Sequence, residues 1–163
     1  MKKNKEYFPL FLSLEGKRIF VAGAGKIAAR RAGVLLSFGA KLFVTAPECS
    51  GEMVKLMQGE NGRDLIYRRK KFEERDLEGM DLVLAATDDT ALNHRITELC
   101  RAGNIPVNNA SCKEDCDFFF PAILREEGLT IGVSSGGEDH GKVAEVCGKL
   151  RRFFRISFQD KEG

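Results

Sequence analysis

The sequence predicts an α/β fold in which helices cover a parallel β-sheet, followed by a small β-hairpin and a final helix. Two observations support this prediction. Short apolar segments alternate with segments of helical periodicity up to residue 108, a pattern typical of parallel strands joined by crossover helices. Beyond that residue, two neighbouring apolar segments are joined by a charged turn. We therefore predict two regions, 1–111 for the sheet and 112–163 for the hairpin and helix.

Length and composition restrict the class of protein. The chain has 163 residues, which suit one domain with a small appendage, and a net charge of +2. A charge this small gives no reason to expect nucleic acid as a partner. Five cysteines are an odd number that favours a reducing compartment, and no apolar segment has the length of a membrane span. We expect a soluble, cytoplasmic protein without nucleic-acid or membrane partners.

The first predicted strand ends in a glycine-rich turn. The apolar residues 19–22 are followed by Gly23, Gly25 and Ala28 with the spacing G-x-G-x-x-A, and helical periodicity starts at once. Gly23 permits the turn, Gly25 lets a phosphate approach the main chain, and Ala28 keeps the helix close to the sheet. Because the free N–H groups of a helix start attract anions, the pattern predicts a Rossmann-type dinucleotide site. A glycine-rich turn without a ligand is the alternative.

The remaining elements follow from periodicity, capping residues and turn residues. In the sheet region they are a helix over 26–38 that ends at Gly39, strands over 41–45, 65–69, 81–86 and 105–108, and helices over 51–58 and 90–102, the latter capped by Asp89. This regular alternation predicts a Rossmann-type sheet with right-handed crossovers. The apolar segment 7–12 is expected to pack as an aromatic arm under the first strand.

The residues after the second strand bear on the choice of cofactor. An acidic side chain about 20 residues past the glycines binds the ribose hydroxyls in NAD-binding folds. Glu48 is the nearest candidate, although it lies beyond the strand end, and the alternative is that Pro47 and Glu48 contact the adenosine through their main chain. No arginine directly follows this strand to hold a 2′-phosphate, which favours NAD over NADP. The basic run 68–71 is interpreted as a solvated edge, with a polyanionic ligand as the alternative.

The C-terminal region predicts contact with a second chain. Residues 117–124 and 129–134 have the pattern of two antiparallel strands, and a basic helix is expected over 141–154. A hairpin and one helix cannot bury three phenylalanines by themselves. We therefore expect a homodimer in which this region pairs with its copy.

Five segments resemble the precorrin-2 dehydrogenase family, the dehydrogenase and ferrochelatase module of siroheme synthase. They are 7–14, 21–30, 85–89, 116–123 and 133–137, and they occur in the order of the family. The resemblance implies NAD-dependent oxidation of precorrin-2 to sirohydrochlorin, with Fe²⁺ or Co²⁺ as the substrate of a further chelation step. The chain resembles a short stand-alone form that lacks the methyltransferase domain.

The resemblance also implies roles for individual residues. The cofactor cleft is expected to include Gly23, Gly25, Lys26, Ile27, Pro47, Glu48, Ala86, Thr87 and Asp88. The tetrapyrrole carries many carboxylates, and the residues expected near it are Ser135, Gly136 and Asn108.

One departure from the family concerns the proton. The proposed catalytic aspartate of the family aligns with Ser111, and a serine without a partner base is a poor proton acceptor near neutral pH. Asp115, Asp117 and His140 are alternative acceptors, as is water, and His140 has a helix cap or surface position as its simpler interpretation. His94 is expected to be only solvated. The other functions left open are an NAD-binding regulatory module and a tetrapyrrole-binding relative without catalysis or chelation.

Overall fold

The computed structural model describes residues 7–126 and 128–159, with side chains to residue 155. These residues form two compact units, one of residues 10–118 and one of residues 7–9 and 119–159. The division falls after Phe118, later than the predicted boundary at residue 111. The reason is that Asp117 stays bonded to Val107, because its N–H donates to the Val107 carbonyl at 2.9 Å and its Oδ2 accepts from the Val107 N–H at 3.0 Å.

The larger unit contains a five-stranded parallel sheet. Its strands are β1 (Arg18–Ala22), β2 (Lys41–Thr45), β3 (Leu65–Arg68), β4 (Leu82–Ala85) and β5 (Val107–Asn109). They lie in the order β3-β2-β1-β4-β5. The chain winds outward from β1 to β3 and then crosses back to place β4 on the other side of β1, so the strand order reverses between the neighbours β1 and β4. This is the strand order of a Rossmann-type sheet, in which ligands bind at the reversal, beyond the carboxyl ends of the strands. The predicted fold class is confirmed.

Three helices lie between the strands of this unit. They are α1 (Lys26–Ser37), α2 (Gly51–Gln58) and α3 (Thr90–Ala102). The Ser50 side chain accepts from the Met53 N–H at the start of α2, and the Asp89 side chain accepts from the Leu92 N–H at the start of α3. These caps fix where each helix begins, and therefore where each loop at the carboxyl edge of the sheet ends.

The predicted alternation of strand and helix is wrong between β3 and β4. That crossover contains only a short 3₁₀ helix, Glu74–Leu77. The sequence of this crossover is mostly charged, and the apolar residues that it contains, Phe72 and Leu77, pack on the sheet. One face of the sheet near β3 is therefore open, and Ile66 keeps 47% of its surface exposed.

The smaller unit contains β6 (Ala122–Glu126), β7 (Leu129–Val133) and α4 (His140–Gln159). The two strands form the predicted antiparallel hairpin, with Leu124, Cys147 and Phe154 buried. The first strand begins at Ala122 rather than at residue 117, because residues 117 and 118 are bonded to β5 and Pro121 has no N–H to donate. Among the described helices, α4 included, none combines the length and apolar character needed to cross a membrane.

The predicted packing of segment 7–12 is also wrong. Phe8, Leu10 and Phe11 keep 87%, 75% and 73% of their surfaces exposed. Within the smaller unit, the Tyr7 ring contacts the Phe119 ring edge-on at a centroid distance of 4.7 Å. The segment has no regular secondary structure. Its apolar sequence alone was therefore not enough to predict whether its side chains are buried.

Candidate functional site

The glycine-rich turn joins β1 to α1 at the carboxyl edge of the sheet. Gly23 is buried with φ at +103°, a backbone conformation that other residues rarely adopt. A Cβ at this position would collide with the main chain of Ala86, lying 2.7 Å from its carbonyl carbon. The protein itself therefore requires glycine here, because the end of β4 packs directly on the turn.

Gly25 is different, because none of the described residues would clash with a side chain there. Its φ of −78° and ψ of −177° suit any residue, and a Cβ would have no heavy atom within 4 Å. The first turn of α1 has no side-chain cap and no acidic residue, and Gly25, Lys26 and Ile27 are exposed. Free N–H groups and an open space without a side chain fit the pyrophosphate of a dinucleotide.

The loop after β2 lies beside this turn. The Ser50 N–H donates to the Ala24 carbonyl at 2.9 Å, which fixes the loop against the glycines. Pro47 and Glu48 are exposed, and the Tyr67 hydroxyl donates to the Ala46 carbonyl at 2.9 Å. The predicted residues 23–27 and 47–48 are thus neighbours on one edge of the sheet.

The loop after β4 is held by Asn93, which the sequence analysis did not single out. Asn93 is fully buried in α3, and its Oδ1 accepts from the Thr87 N–H at 3.1 Å. Its Nδ2 donates to the Thr87 carbonyl at 3.0 Å and to Ser111 Oγ at 3.1 Å. Asn93 therefore connects the predicted cofactor loop of Ala86, Thr87 and Asp88 to Ser111. The sequence did contain a signal for this role, because Asn93 carries an amide on the same face of α3 as the apolar residues Ile96 and Cys100.

The hydroxyl of Ser111 both donates and accepts a hydrogen bond in this network. It donates to Asn109 Oδ1 at 2.7 Å, and it accepts from Asn93 Nδ2. The Ser111 N–H also donates to Asn109 Oδ1, at 2.9 Å. Because the hydroxyl proton is directed at Asn109, Ser111 presents no base at this position.

Asp115 fixes the other end of Asn109 and pairs with His94. Asn109 Nδ2 donates to Asp115 Oδ2 at 3.1 Å, and His94 Nδ1 lies 2.9 Å from the same oxygen. The hydrogen bond to Asp115 raises the pKa of His94 above its ordinary value. The pKa of Asp115 is lowered, chiefly by the bond from His94, against the opposing effect of burial. The expectation that His94 is only solvated is therefore wrong, since its ring is part of the network below Ser111.

Comparison with known proteins identifies the family. Residues 10–122 match the model of an NAD(P)-binding family. The chain belongs to this NAD(P)-binding family. Siroheme synthase from Pseudomonas entomophila (strain L48) is 40% identical over 158 residues, which cover 97% of this chain and 34% of that protein. Siroheme synthase from Methylococcus capsulatus is 40% identical over 133 residues, which cover 81% of this chain and 27% of that protein.

A solved structure extends the comparison. The structure of "SirC, precorrin-2 dehydrogenase" superposes with a TM-score of 0.73 and 28% identity, covering 91% of this chain and 71% of that one. The sequence resemblance to the precorrin-2 dehydrogenase family is thereby confirmed. The chain spans about a third of the length of the siroheme synthases that it matches.

In this NAD(P)-binding protein, two further predicted site residues are engaged in the fold. Asn108 is buried, accepts from Arg31 Nη1 at 2.7 Å and donates to the Phe118 carbonyl at 2.6 Å. The Asp117 carboxylate accepts from the Val107 N–H. These bonds hold the chain that leaves β5. The substrate role of Asn108 and the proton-accepting role of Asp117 stay predictions.

The last predicted site residues lie in the smaller unit. Ser135 Oγ accepts from the Asp139 N–H at 2.9 Å, and Gly136 has φ at +66°. His140 is exposed at the start of α4. The proposed roles of these three residues remain predictions. In the described parts of the chain, no group of three or more His, Cys, Asp or Glu residues is placed to hold a metal ion.

Proposed function

We propose that this chain binds NAD and oxidises precorrin-2 to sirohydrochlorin in siroheme or corrinoid biosynthesis. The observation that carries the proposal is the open space at Gly25, which the protein leaves at the start of α1 without any structural need for a glycine. The likeness to SirC supports the choice of precorrin-2 as substrate. The shared identity extends over nearly the whole chain rather than over the glycine-rich turn alone.

The protein contributes binding and orientation. The N–H groups that follow Gly25 bind the pyrophosphate, the main chain of Pro47 and Glu48 contacts the adenosine, and the Thr87 loop lines the rest of the cleft. Bound NAD supplies the hydride acceptor. Asn93 holds the Thr87 loop rigidly, which reduces the cost of orienting the cofactor against the substrate.

The oxidation removes a hydride and a proton from precorrin-2, giving sirohydrochlorin, NADH and a free proton. Ser111 is not the acceptor of that proton, since its hydroxyl is donated to Asn109. We assign the proton to water, which reaches the exposed Ser111. Insertion of Fe²⁺ must remove two pyrrole protons, so we propose that the serine limits chelation more than it limits oxidation.

We further propose that the protein is a cytoplasmic homodimer formed through its smaller unit. Leu129 and Phe153 keep 52% and 62% of their surfaces exposed in that unit, which leaves apolar surface for a second copy to cover. All five cysteines are free thiols, as expected in a reducing compartment. Light scattering should give twice the chain mass, and Phe153→Asp should give the monomer mass; a monomeric wild type would contradict the dimer.

The direct test of the reaction is an anaerobic assay of the purified protein with precorrin-2 and NAD⁺. We expect sirohydrochlorin absorbance to rise with one NADH formed per product, and no rise with the Gly25→Val variant. Dinucleotide binding without product would instead favour a regulatory or tetrapyrrole-carrying module. Absence of product with either NAD⁺ or NADP⁺ contradicts the proposed function.

A further inference from the structure

The sheet brings basic residues to a place that their sequence position did not reveal. Strands β2 and β3 are parallel neighbours, with Thr45 beside Arg68. Residues that follow β3 therefore emerge next to residues that follow β2. The absence of an arginine directly after β2 is compensated by the run that begins at Arg68.

Arg69 contacts the loop that the cofactor's ribose is expected to occupy. Its Nε donates to the Pro47 carbonyl at 3.0 Å, and the side chain is exposed. The Tyr67 hydroxyl also holds this loop, because it donates to the carbonyl of the preceding residue, Ala46. Among the described residues Arg69 makes no other hydrogen bond or ion pair, so its two terminal nitrogens have no protein partner there.

The charge around this loop is mainly positive. In the described parts of the chain, no carboxylate lies within ion-pair distance of Arg68, Arg69 or Lys71. Lys70, in contrast, is neutralised, because it pairs with Asp76 at 2.7 Å and with Glu73 at 3.2 Å.

Glu48 is the opposing charge at this loop. Burial is the main cause of the raised pKa of Tyr67; Cys49 and Glu48 raise it further, and Arg69 lowers it. Arg69 and Glu48 therefore act on the same phenol, one as a cation and one as an anion. Arg68, which pairs with Thr45, and Arg69 bring two positive charges to the end of β2, where the carboxylate of Glu48 opposes them.

We propose that Arg69 binds the 2′-phosphate of NADP, so that the site accepts NADP as well as NAD. The inference rests on the dinucleotide site of the proposed function and names its specificity. The ribose 2′ position lies at the end of the second strand in this fold, where a nearby arginine accommodates a 2′-phosphate. A guanidinium already fixed by Pro47 loses less conformational freedom on binding the phosphate than a free side chain does.

The test is isothermal titration calorimetry with two fragments that differ only in the 2′-phosphate, 2′,5′-ADP and 5′-AMP. At low salt we expect the wild type to bind 2′,5′-ADP about tenfold more tightly than 5′-AMP. The Arg69→Gln variant should lose this preference and keep its affinity for 5′-AMP within about twofold. Arg63→Gln is the matched control, because Arg63 is exposed and lies before β3, at the opposite edge of the sheet. Glu48→Gln should strengthen binding of 2′,5′-ADP more than binding of 5′-AMP.

Three results would overturn the inference. The first is equal affinity of the wild type for the two fragments, and the second is an equal loss of both in Arg69→Gln, which would indicate a role in loop structure alone. The third is binding of NAD⁺ without NADP⁺, which refutes the role of Arg69 but leaves the proposed function intact. If neither dinucleotide binds, the proposed function fails and the inference fails with it.

Discussion

The substitution Gly25→Val separates cofactor binding from folding. The backbone at Gly25 already has extended φ and ψ angles, and an added Cβ meets no protein atom within 4 Å. Valine is a poorer N-cap than glycine, but it also restricts the unfolded chain. These effects oppose each other, so the free energy of unfolding should change by less than about 1 kcal/mol, or about 2–4 °C in Tm for a chain of this size.

The same substitution should prevent binding of the dinucleotide. The valine side chain fills the space beside the N–H groups of α1 that the pyrophosphate needs. Loss of two charge-assisted hydrogen bonds, each worth about 1.5–3 kcal/mol, predicts at least a hundredfold weaker binding. Calorimetric titration with NAD⁺ measures the affinity, and thermal unfolding measures the stability of the same sample.

Gly23→Ala is the matched variant with the opposite outcome. Its Cβ would collide with the main chain of Ala86, and its φ of +103° is strained for alanine. We expect a loss of about 3 kcal/mol or more in the free energy of unfolding, because the backbone must shift. The reasoning is refuted if Gly25→Val binds NAD⁺ within threefold of the wild type, or if it unfolds as readily as Gly23→Ala.

Three further predictions address the network beneath the Thr87 loop. Asn93→Leu leaves the half-buried Thr87 N–H without its partner and should cost about 1–3 kcal/mol in urea unfolding; a cost no larger than that of the exposed control Asn61→Ala would contradict it. For His94 the pKa is raised in the folded state, so its stabilising pairing with Asp115 is fully present below about pH 6.5 and is lost as the pH rises through the folded pKa. The Tm difference between the wild type and His94→Gln should therefore shrink from about pH 6 to pH 9, and a difference that stays constant or widens would disprove the pairing. Ser111→Asp should raise Fe²⁺ or Co²⁺ insertion into sirohydrochlorin by about tenfold or more over Ser111→Asn, and an unchanged rate would mean that the pyrrole protons are removed elsewhere.

Local signals in the sequence were sufficient for the first half of the fold. The glycine spacing, the cap at Asp89 and Gly39 after α1 each fix a turn or an end of a helix through bonds within a few residues. The strand order, which the sequence analysis did not predict, confirms the Rossmann-type fold class. The proposed role of Gly25 is predicted in the same way, since it depends on the turn alone.

The features that the sequence did not reveal depend on contacts between distant segments. Arg69 reaches Pro47 only because β3 pairs with β2, and Asn93 meets Ser111 only because α3 packs beside β5. His94 was expected to be solvated because its sequence neighbours are polar, whereas its partner Asp115 lies beyond the next strand. The segment between β3 and β4 has a local cause instead, because its charged residues pair with one another within a few residues of the chain.

A crystal structure of the protein with NAD tests most directly whether the turn at Gly25 is a dinucleotide site. We expect the pyrophosphate to lie against the main-chain N–H groups of Lys26 and Ile27, in the space that a Gly25 side chain would occupy. A pyrophosphate bound elsewhere, or a turn closed by side chains of the protein itself, would contradict the account.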